Sequence, residues 1–521
     1  MSLGLRPNTP AREIVEVATV ATARFAGAEP GSGYRVTGVT HDSRAVRPGD
    51  LYAALPGFNT HGAEFVGAAV ESGASAILTD PAGADRAVRA GVPVLVVDDP
   101  RAALGGVADF IYDSPSSELL VIGITGTNGK TTTSFLVDAG LRAAGHLTGL
   151  IGTVGNRIGD DAVPSMRTTP EATDVHALLA VMRERGVTAV TMEVSSHALR
   201  LGRVDGVRFA VGAFTNLSAD HLDFHTDMDD YFEAKASLFS PAHIASAVID
   251  IDESFGRELV VRALSNGLPV TTYGLGPAGA DWTVSEMQAR PGGTTAQVSG
   301  PLGLQFALDV CLPGEFNVAN ALCAMAVLAS VDVDLQLAAS GIAGCDGVPG
   351  RMERVRDPDA VRDLVALVDY AHTPDAVERA TVAARAGISG RVLVVLGAGG
   401  DRDSLKRPVM GELAATNSDV LFVTDDNPRS EVPEAIRAAI LEGAYRVAGA
   451  DVREIADRRE AIRFAVAEAK TGDVILILGK GHESGQDVGG VVRPFDDRVE
   501  LAQALSGSAL DDSAPSPRET S

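Results

Sequence analysis

With about 150 residues per domain as a guide, a chain of 521 residues has the length of three domains, or four, and is too long for a small binding module. Hydrophobic residues at 45% and charged residues at 22% are ordinary globular proportions, and no run approaches the roughly 18 consecutive apolar residues of a membrane span, which excludes an integral membrane protein. Forty-four Lys and Arg against 69 Asp and Glu give a net charge of −25, which repels polyphosphate backbones and argues against general nucleic-acid binding. A small anion remains possible, because a few backbone N–H groups can hold it. The cysteines Cys311, Cys323 and Cys345 have no C-x-x-C spacing, so neither a disulfide framework nor a structural zinc is expected. The opening MSLGLRPNTPAREIVEVA has no basic stretch before an apolar core, so no secretory signal is expected.

Along the chain, short apolar stretches at Tyr34 to Val39, Asp50 to Ala54, Ala76 to Thr79 and Val92 to Val97, with a helical Glu64 to Ser72, predict a small α/β domain over residues 1–116. After the loop residues 112–117 a strongly apolar strand begins at Leu119. Strands at Ala189 to Val194, Ala210 to Phe214 and Ala247 to Ile251 alternate with helices at Thr131 to Ala144 and Ala172 to Arg185, which predicts a mostly parallel central sheet over 117–349. Four more apolar strands, at Leu364, Val392, Val420 and Val474, separated by helices, predict a doubly wound, Rossmann-like domain over 350–505. Residues 506–521 are small and polar and read as a disordered tail.

The strongest local signal is Gly123-Ile124-Thr125-Gly126-Thr127-Asn128-Gly129-Lys130-Thr131-Thr132, placed between a strand and a helix. This is the setting of a phosphate-binding loop. Backbone N–H groups converge on phosphate oxygens, Lys130 supplies a cation and the Thr131 hydroxyl can ligate Mg²⁺. The strict pattern would have glycine where Ile124 stands. Glu193 ends a parallel strand at the edge where ligands bind. The segment Asn216 to His225, with Asp220, His221 and Asp223, reads equally as a metal site or a polar loop. Lys235, taken alone, reads as a solvated helix lysine.

Together these residues resemble the Mur ligases, ATP-dependent amide ligases of peptidoglycan precursor synthesis. The likeness rests on Thr125 to Thr131, Glu193 to His197, Asn216-Leu217-Ser218 with Asp220-His221, and Tyr231 to Lys235. It continues through Gly314 to Asn320, Pro349 to Glu353, Asp369 to Pro374, Asp426-Asn427-Pro428-Arg429 and Gly479-Lys480-Gly481-His482-Glu483. The resemblance implies three α/β domains: a uridine-binding N-terminal domain, a central phosphate-loop domain and a C-terminal domain for the amino acid. It also implies a reaction. ATP phosphorylates a side-chain carboxylate of UDP-N-acetylmuramoyl-L-Ala-D-Glu, and the amine of meso-diaminopimelate attacks the acyl phosphate.

On this resemblance Gly126, Thr127, Asn128, Gly129, Lys130, Thr131 and Thr132 hold the phosphates, Thr131 and Glu193 one Mg²⁺, and His221 and Lys235 a second. Lys235 carries a CO₂-derived carbamate, since an ammonium cannot ligate a cation. Asn317 and Asn320 approach the adenine, while Arg351 and Asp369, with His372 nearby, reach the nucleotide. His41 and Ser43, in a stretch with Asp42-Ser43-Arg44, face the UDP; Thr168, Thr169, Ser195 and Arg203 face the muramyl-dipeptide arm, and Leu201 stands where some relatives have glutamine. Arg402, Asp426, Asn427, Arg429, Gly479 and Glu483 form the amino-acid site, with Arg429 for the distal carboxylate and Glu483 for the ammonium. A cytoplasmic, monomeric enzyme is expected.

L-lysine as the added amino acid and a folylpolyglutamate synthetase are the nearest alternatives, and a nucleotide-dependent switch is the alternative of a different class. The 115 or so residues before the phosphate loop argue against the synthetase, and the switch has no use for Asp426 to Arg429.

Overall fold

Among the described residues three large β-sheets, of eleven, six and five strands, are built mainly from the apolar runs that the sequence sets between glycine and proline turns, and two small two-stranded sheets accompany them. The computed structural model describes residues 6–26, 30, 33–57, 60–165, 167–222, 224–276, 279–290, 293–345, 347–356 and 364–507. Asp223 and residues 508–521 of the expected tail lie outside these. Two units divide the chain: Met1–Glu286, Gln297–Leu308 and Ala319–Cys345 in one, Met287–Ala296, Asp309–Val318 and Asp346–Ser521 in the other.

In the first unit a five-stranded sheet runs in the order Arg24–Phe25, Val94–Val96, Ala76–Thr79, Asp50–Ala54, Gly38–Thr40, with the last four parallel. Side chains of a strand alternate between its faces, so Leu51 and Ala53 enter one core while Tyr52 and Ala54 enter the other. The helix Pro100–Ile111 covers the first of these faces. It begins with proline in its first turn, and the Asp99 carboxylate accepts from the N–H groups of Arg101 and Ala102.

The second sheet positions the phosphate loop. Its order begins Asp161–Val163, Gly155–Ile158, Thr148–Gly152, Ala189–Glu193, Leu120–Thr125, Phe209–Phe214, Ile244–Asp250, Val270–Gly274, and three further strands extend it to eleven. Leu120–Thr125 is parallel to both neighbours, in a register that sets Ile124 beside Glu193 and Thr125 beside Phe214. Three carboxyl ends therefore open on one crevice, the place where parallel α/β sheets bind ligands.

The six-stranded sheet of the second unit runs Glu353–Arg354, Val365–Asp369, Val474–Leu478, Val392–Leu396, Val420–Val423, Asp451–Glu454, parallel except at its first pair. Val392, Val394 and Leu396 pack on one face, and Leu393 and Val395 on the other. Burial on both faces explains the unbroken apolar runs of these strands. The helices Pro374–Arg385, Lys406–Asn417 and Pro433–Ala444 cover one side, and Arg458–Glu468 and Asp497–Leu505 the other.

A buried ion pair ties this second layer down. Arg458 Nε and Nη2 each donate to Asp497 at 2.7 Å, and Nη2 also donates to the Leu478 carbonyl at 2.9 Å, with both side chains fully buried. Removing one partner leaves an uncompensated buried charge, which costs roughly 3 to 5 kcal/mol. Asp497→Ala should accordingly lower the unfolding free energy by an amount of that order and, with it, the midpoint of thermal or denaturant unfolding. A midpoint matching the unmodified protein would show that the pair is dispensable.

Candidate functional site: a phosphate loop and a buried lysine

Gly129 ends the loop in the left-handed region at φ 85°, and a Cβ there would come within 2.3 Å of Asn320 Oδ1, so only glycine fits. The helix Lys130–Ala143 begins at the next residue and points its first N–H groups into the crevice. Behind the loop, Asn128 N–H donates to Asn216 Oδ1 at 2.9 Å, Asn216 Nδ2 returns a bond to the Asn128 carbonyl at 3.1 Å, and the Thr215 hydroxyl donates to that carbonyl at 2.6 Å. Thr127 Oγ1 is shared between the Ser218 N–H at 3.0 Å and the Tyr231 hydroxyl at 3.1 Å. The Asn216-Leu217-Ser218 motif thus braces the phosphate loop. Thr132 is buried, and Asn320 Oδ1 accepts from Thr133 at 3.4 Å.

Oxygen donors gather at the head of the helix. The Thr131 hydroxyl donates to Glu193 Oε2 at 2.9 Å, and Glu193 is buried. Its carboxylate is fixed from the other side by Thr153, whose N–H donates to Oε1 at 2.8 Å and whose hydroxyl donates to Oε2 at 2.9 Å. Sequence reasoning missed Thr153. It lies in the turn between Thr148–Gly152 and Gly155–Ile158, two strands that the apolar pattern did not reveal.

Two lysines meet on one carbonyl. Lys130 Nζ donates to Gly126 O at 2.8 Å and to Thr127 O at 2.8 Å, while Lys235 Nζ donates to the same Gly126 O at 2.7 Å. Lys235 is 1% exposed and lies 4.5 Å from the centre of the Tyr231 ring, which rules out the solvated helix lysine. Burial pushes its pKa well below the ordinary lysine value, the Lys130 charge pushes it the same way, and Asp220 opposes both. His221 has left-handed backbone, and its imidazole is held in the neutral form by lost hydration and by Lys130, His197 and Lys235, against Asp220. Its Nε2 is 3.5 Å from Asp220 Oδ2.

On the side of the first sheet, Thr169 Oγ1 donates to the Glu193 carbonyl at 2.8 Å and accepts from the Ser195 N–H at 3.1 Å. Ser195 caps the helix Ser196–Arg200, the Thr168 hydroxyl is 3.0 Å from that of Thr153, and Arg203 Nη1 donates to the Thr169 carbonyl at 3.3 Å. Leu201 is the residue at the carboxyl end of the capped helix. His41 Nδ1 lies 3.2 Å from the Thr173 hydroxyl, and Ser43 opens the short helix Ser43–Ala45, capped by Asp42. Thr168, Ser195 and Arg203 thus share one neighbourhood through Thr153, Thr169 and Glu193, and His41 is tied instead to Thr173.

In the second unit, Asp369 is buried and accepts from the Met352 N–H at 2.7 Å and the Ala371 N–H at 2.8 Å, so it fixes the chain at Arg351. Burial raises its pKa, against the pull of Arg351 and the two N–H groups. Arg351 stacks over Tyr370 at 4.5 Å, His372 Nδ1 is 2.9 Å from the Tyr370 carbonyl, and Asn317 Nδ2 donates to Pro313 O at 2.8 Å.

Asp426, Asn427, Gly479 and Glu483 come together around Lys480, which sequence reasoning did not single out although it stands inside a quoted motif. Lys480 is fully buried, donates to Asn427 Oδ1 at 3.1 Å and Gly485 O at 2.6 Å, and lies 3.8 Å from Asp426 and 3.6 Å from Glu483. Asn427 Nδ2 donates to Glu483 Oε2 at 2.7 Å. Gly479 has φ 116°, and a Cβ there would lie 2.4 Å from Asp426 Oδ2. Arg429 is also left-handed, its N–H donates to Asp487 O at 3.0 Å and its guanidinium bonds the Gly400 carbonyl. Arg402 is exposed on the loop beside Asp401.

These features define a class: a three-domain α/β protein with a phosphate loop at the carboxyl edge of its central sheet. Residues 35–112 match the Mur ligase family, catalytic domain, residues 124–328 the Mur ligase middle domain, and residues 350–481 the Mur ligase, glutamate ligase domain. The UDP-N-acetylmuramoyl-L-alanyl-D-glutamate–2,6-diaminopimelate ligase of Streptomyces coelicolor is 54% identical over 482 residues, covering 92% of this chain and 94% of that one. Its namesake from Corynebacterium glutamicum is 49% identical over 477 residues, covering 89% and 91%. A solved structure of a ligase of that name matches with a TM-score of 0.68 at 31% identity, over 96% of this chain and 99% of the other. The chain belongs to the Mur ligase family.

Proposed function

We propose that the protein is the ligase that adds meso-diaminopimelate to UDP-N-acetylmuramoyl-L-alanyl-D-glutamate at the expense of ATP, in the cytoplasm and as a monomer. The observation that carries the reading is the joint presence of a braced phosphate loop and, in the second unit, a buried carboxylate–amide–lysine cluster suited to an amino acid. Relatives named for this reaction, 54% and 49% identical over nearly their whole length, support it.

The donors fit a divalent cation. Thr131 and Glu193 present hard oxygens, as Mg²⁺ requires, and it would complete its shell with phosphate and water oxygens. When bound, it would neutralise charge on the transferred phosphoryl group. The residues of the chain then have separate tasks. Lys130 turns from the Gly126 and Thr127 carbonyls to the phosphates, and loop N–H groups hold the β and γ oxygens as the D-glutamyl side-chain carboxylate attacks the γ phosphorus and ADP departs. The acyl phosphate so formed is attacked by the amine, which loses a proton, and phosphate leaves. Arg351, Asp369, Asn317 and Asn320 are assigned to the nucleotide, His41 and Ser43 to the UDP, and Thr168, Thr169, Ser195 and Arg203 to the peptide arm.

Lys235 is assigned a carbamate. A neutral amine adds to CO₂ and releases one proton, and burial, which pushes the pKa of this amine well below the ordinary lysine value, favours the neutral form. The product would be an oxygen-donor anion that, with His221, could hold the second cation. Lys235→Ala should lose most of the ligase activity, and added acetate or formate should restore part of it. An alanine variant with near-normal turnover would remove the carbamate from the account.

Specificity is assigned to Arg429 with Glu483. Meso-diaminopimelate carries a carboxylate beside its distal amine, which lysine lacks; Arg429 would hold that carboxylate and Glu483 the ammonium. Phosphate release measured with each amino acid should show kcat/KM higher for meso-diaminopimelate by roughly a hundredfold, since a buried unpaired charge costs several kcal/mol. Arg429→Ala should erase the preference. Equal kcat/KM values in the unmodified enzyme would contradict the assignment.

A further inference from the structure

Three guanidiniums from three segments of the first unit converge on Glu171. Arg101 Nη1 is 3.2 Å from Oε2, Arg203 Nε is 3.0 Å from Oε1, and Arg167 Nη1 bonds Oε1. Arg101 comes from the first turn of Pro100–Ile111, Arg167 from the loop before Ala172–Glu184, and Arg203 from beyond Ser196–Arg200. A structural ion pair needs one arginine. Each additional guanidinium adds repulsion and lost hydration that a single carboxylate offsets poorly.

The cluster therefore carries a local excess of two positive charges in a chain whose net charge is −25. Glu171 is the N-cap residue of the 13-residue helix Ala172–Glu184, so the positive end of that helix adds to the excess. The Glu171 and Arg203 side chains are 10% and 11% exposed, but those of Arg101 and Arg167 are 34% and 52% exposed and reach solvent. Arg203 Nε is buried and approaches Glu171 Oε1 at 3.0 Å. The acidic groups nearby are engaged elsewhere: Asp42 pairs with Arg44, and Asp99 caps its helix. Asp174 acts on His41, which neighbours Thr173.

We propose that Arg101 and Arg167 complete, with Arg203, an oxyanion-binding site for the UDP-linked substrate. The inference rests on the reading of the first unit as the UDP-substrate side. That substrate has two kinds of oxyanion, the diphosphate and the peptide carboxylates, and planar guanidiniums bind either through paired N–H donors.

Arg101→Ala and Arg167→Ala test it in the full-length enzyme. Both side chains are substantially solvent-exposed, so each variant should fold. Each should raise KM for UDP-N-acetylmuramoyl-L-Ala-D-Glu about fivefold to tenfold, the discounted worth of a partly exposed charge-assisted bond, with kcat and KM for ATP and meso-diaminopimelate unchanged. Calorimetry with UDP-N-acetylglucosamine, which has the diphosphate but no carboxylate, identifies the anion: an equal loss of affinity in the variants assigns the diphosphate, an unchanged affinity the peptide carboxylate. Unchanged KM in both variants, or a matching rise in KM for ATP, overturns the proposal. Absence of product from the unmodified enzyme with all three substrates would instead strike at the ligase reading itself.

Discussion

Two lysine side chains share the carbonyl of Gly126 through their Nζ atoms, and one of them, Lys235, is buried to 1% exposure. Keeping an ammonium there, out of water and beside another cation, is expensive, and one carbonyl dipole cannot offset it, so burial and the Lys130 charge favour the neutral amine of Lys235. Much of the central domain serves to enforce this arrangement. The register of Leu120–Thr125 against Ala189–Glu193 and Phe209–Phe214 puts the loop, Glu193 and Thr215 at one edge, and the Thr127–Tyr231 contact anchors the helix that carries Lys235. An arrangement so unfavourable in isolation has a clear resolution, the arrival of anions. Phosphates and a carbamate on Lys235 would give the Lys130 charge the anionic partners that the crevice otherwise lacks.

The second unit solves the converse problem. Asp426 and Glu483 are brought close, and burial together with Asp426 raises the pKa of Glu483. Lys480 is placed between them with no exposure, and Asn427 links it to Glu483 by accepting from one and donating to the other. Lys480 is the cation buried between the two carboxylates, and Arg429 and Arg458 also act on the Glu483 carboxylate.

Much of this was legible in the residues. Strands buried on both faces, such as Val392–Leu396 and Val474–Leu478, announce themselves as continuous apolar runs, and the phosphate loop by its glycines between strand and helix. Strands without that signature were missed: Glu353–Arg354 and Asp451–Glu454 lie at sheet edges and are polar, and Trp282–Arg290 is largely exposed. Lys235 shows the limit more sharply. Nothing in Tyr231 to Ala236 distinguishes a buried lysine from a surface one, because its burial comes from Gly126, more than a hundred residues away. Resemblance supplied what local pattern could not. Arg101 and Arg167 had neither signal, since they lie in different segments and only the fold gathers them with Arg203 around Glu171.

The claim that the buried lysine works as an anion is open to direct observation. ¹³C NMR of the full-length enzyme with ¹³C-labelled bicarbonate, Mg²⁺ and ATP should show a carbamate carbon that is absent from Lys235→Arg. No such signal, under conditions in which the unmodified enzyme turns over, would mean that Lys235 acts as an amine and that the charge balance described for the crevice is wrong.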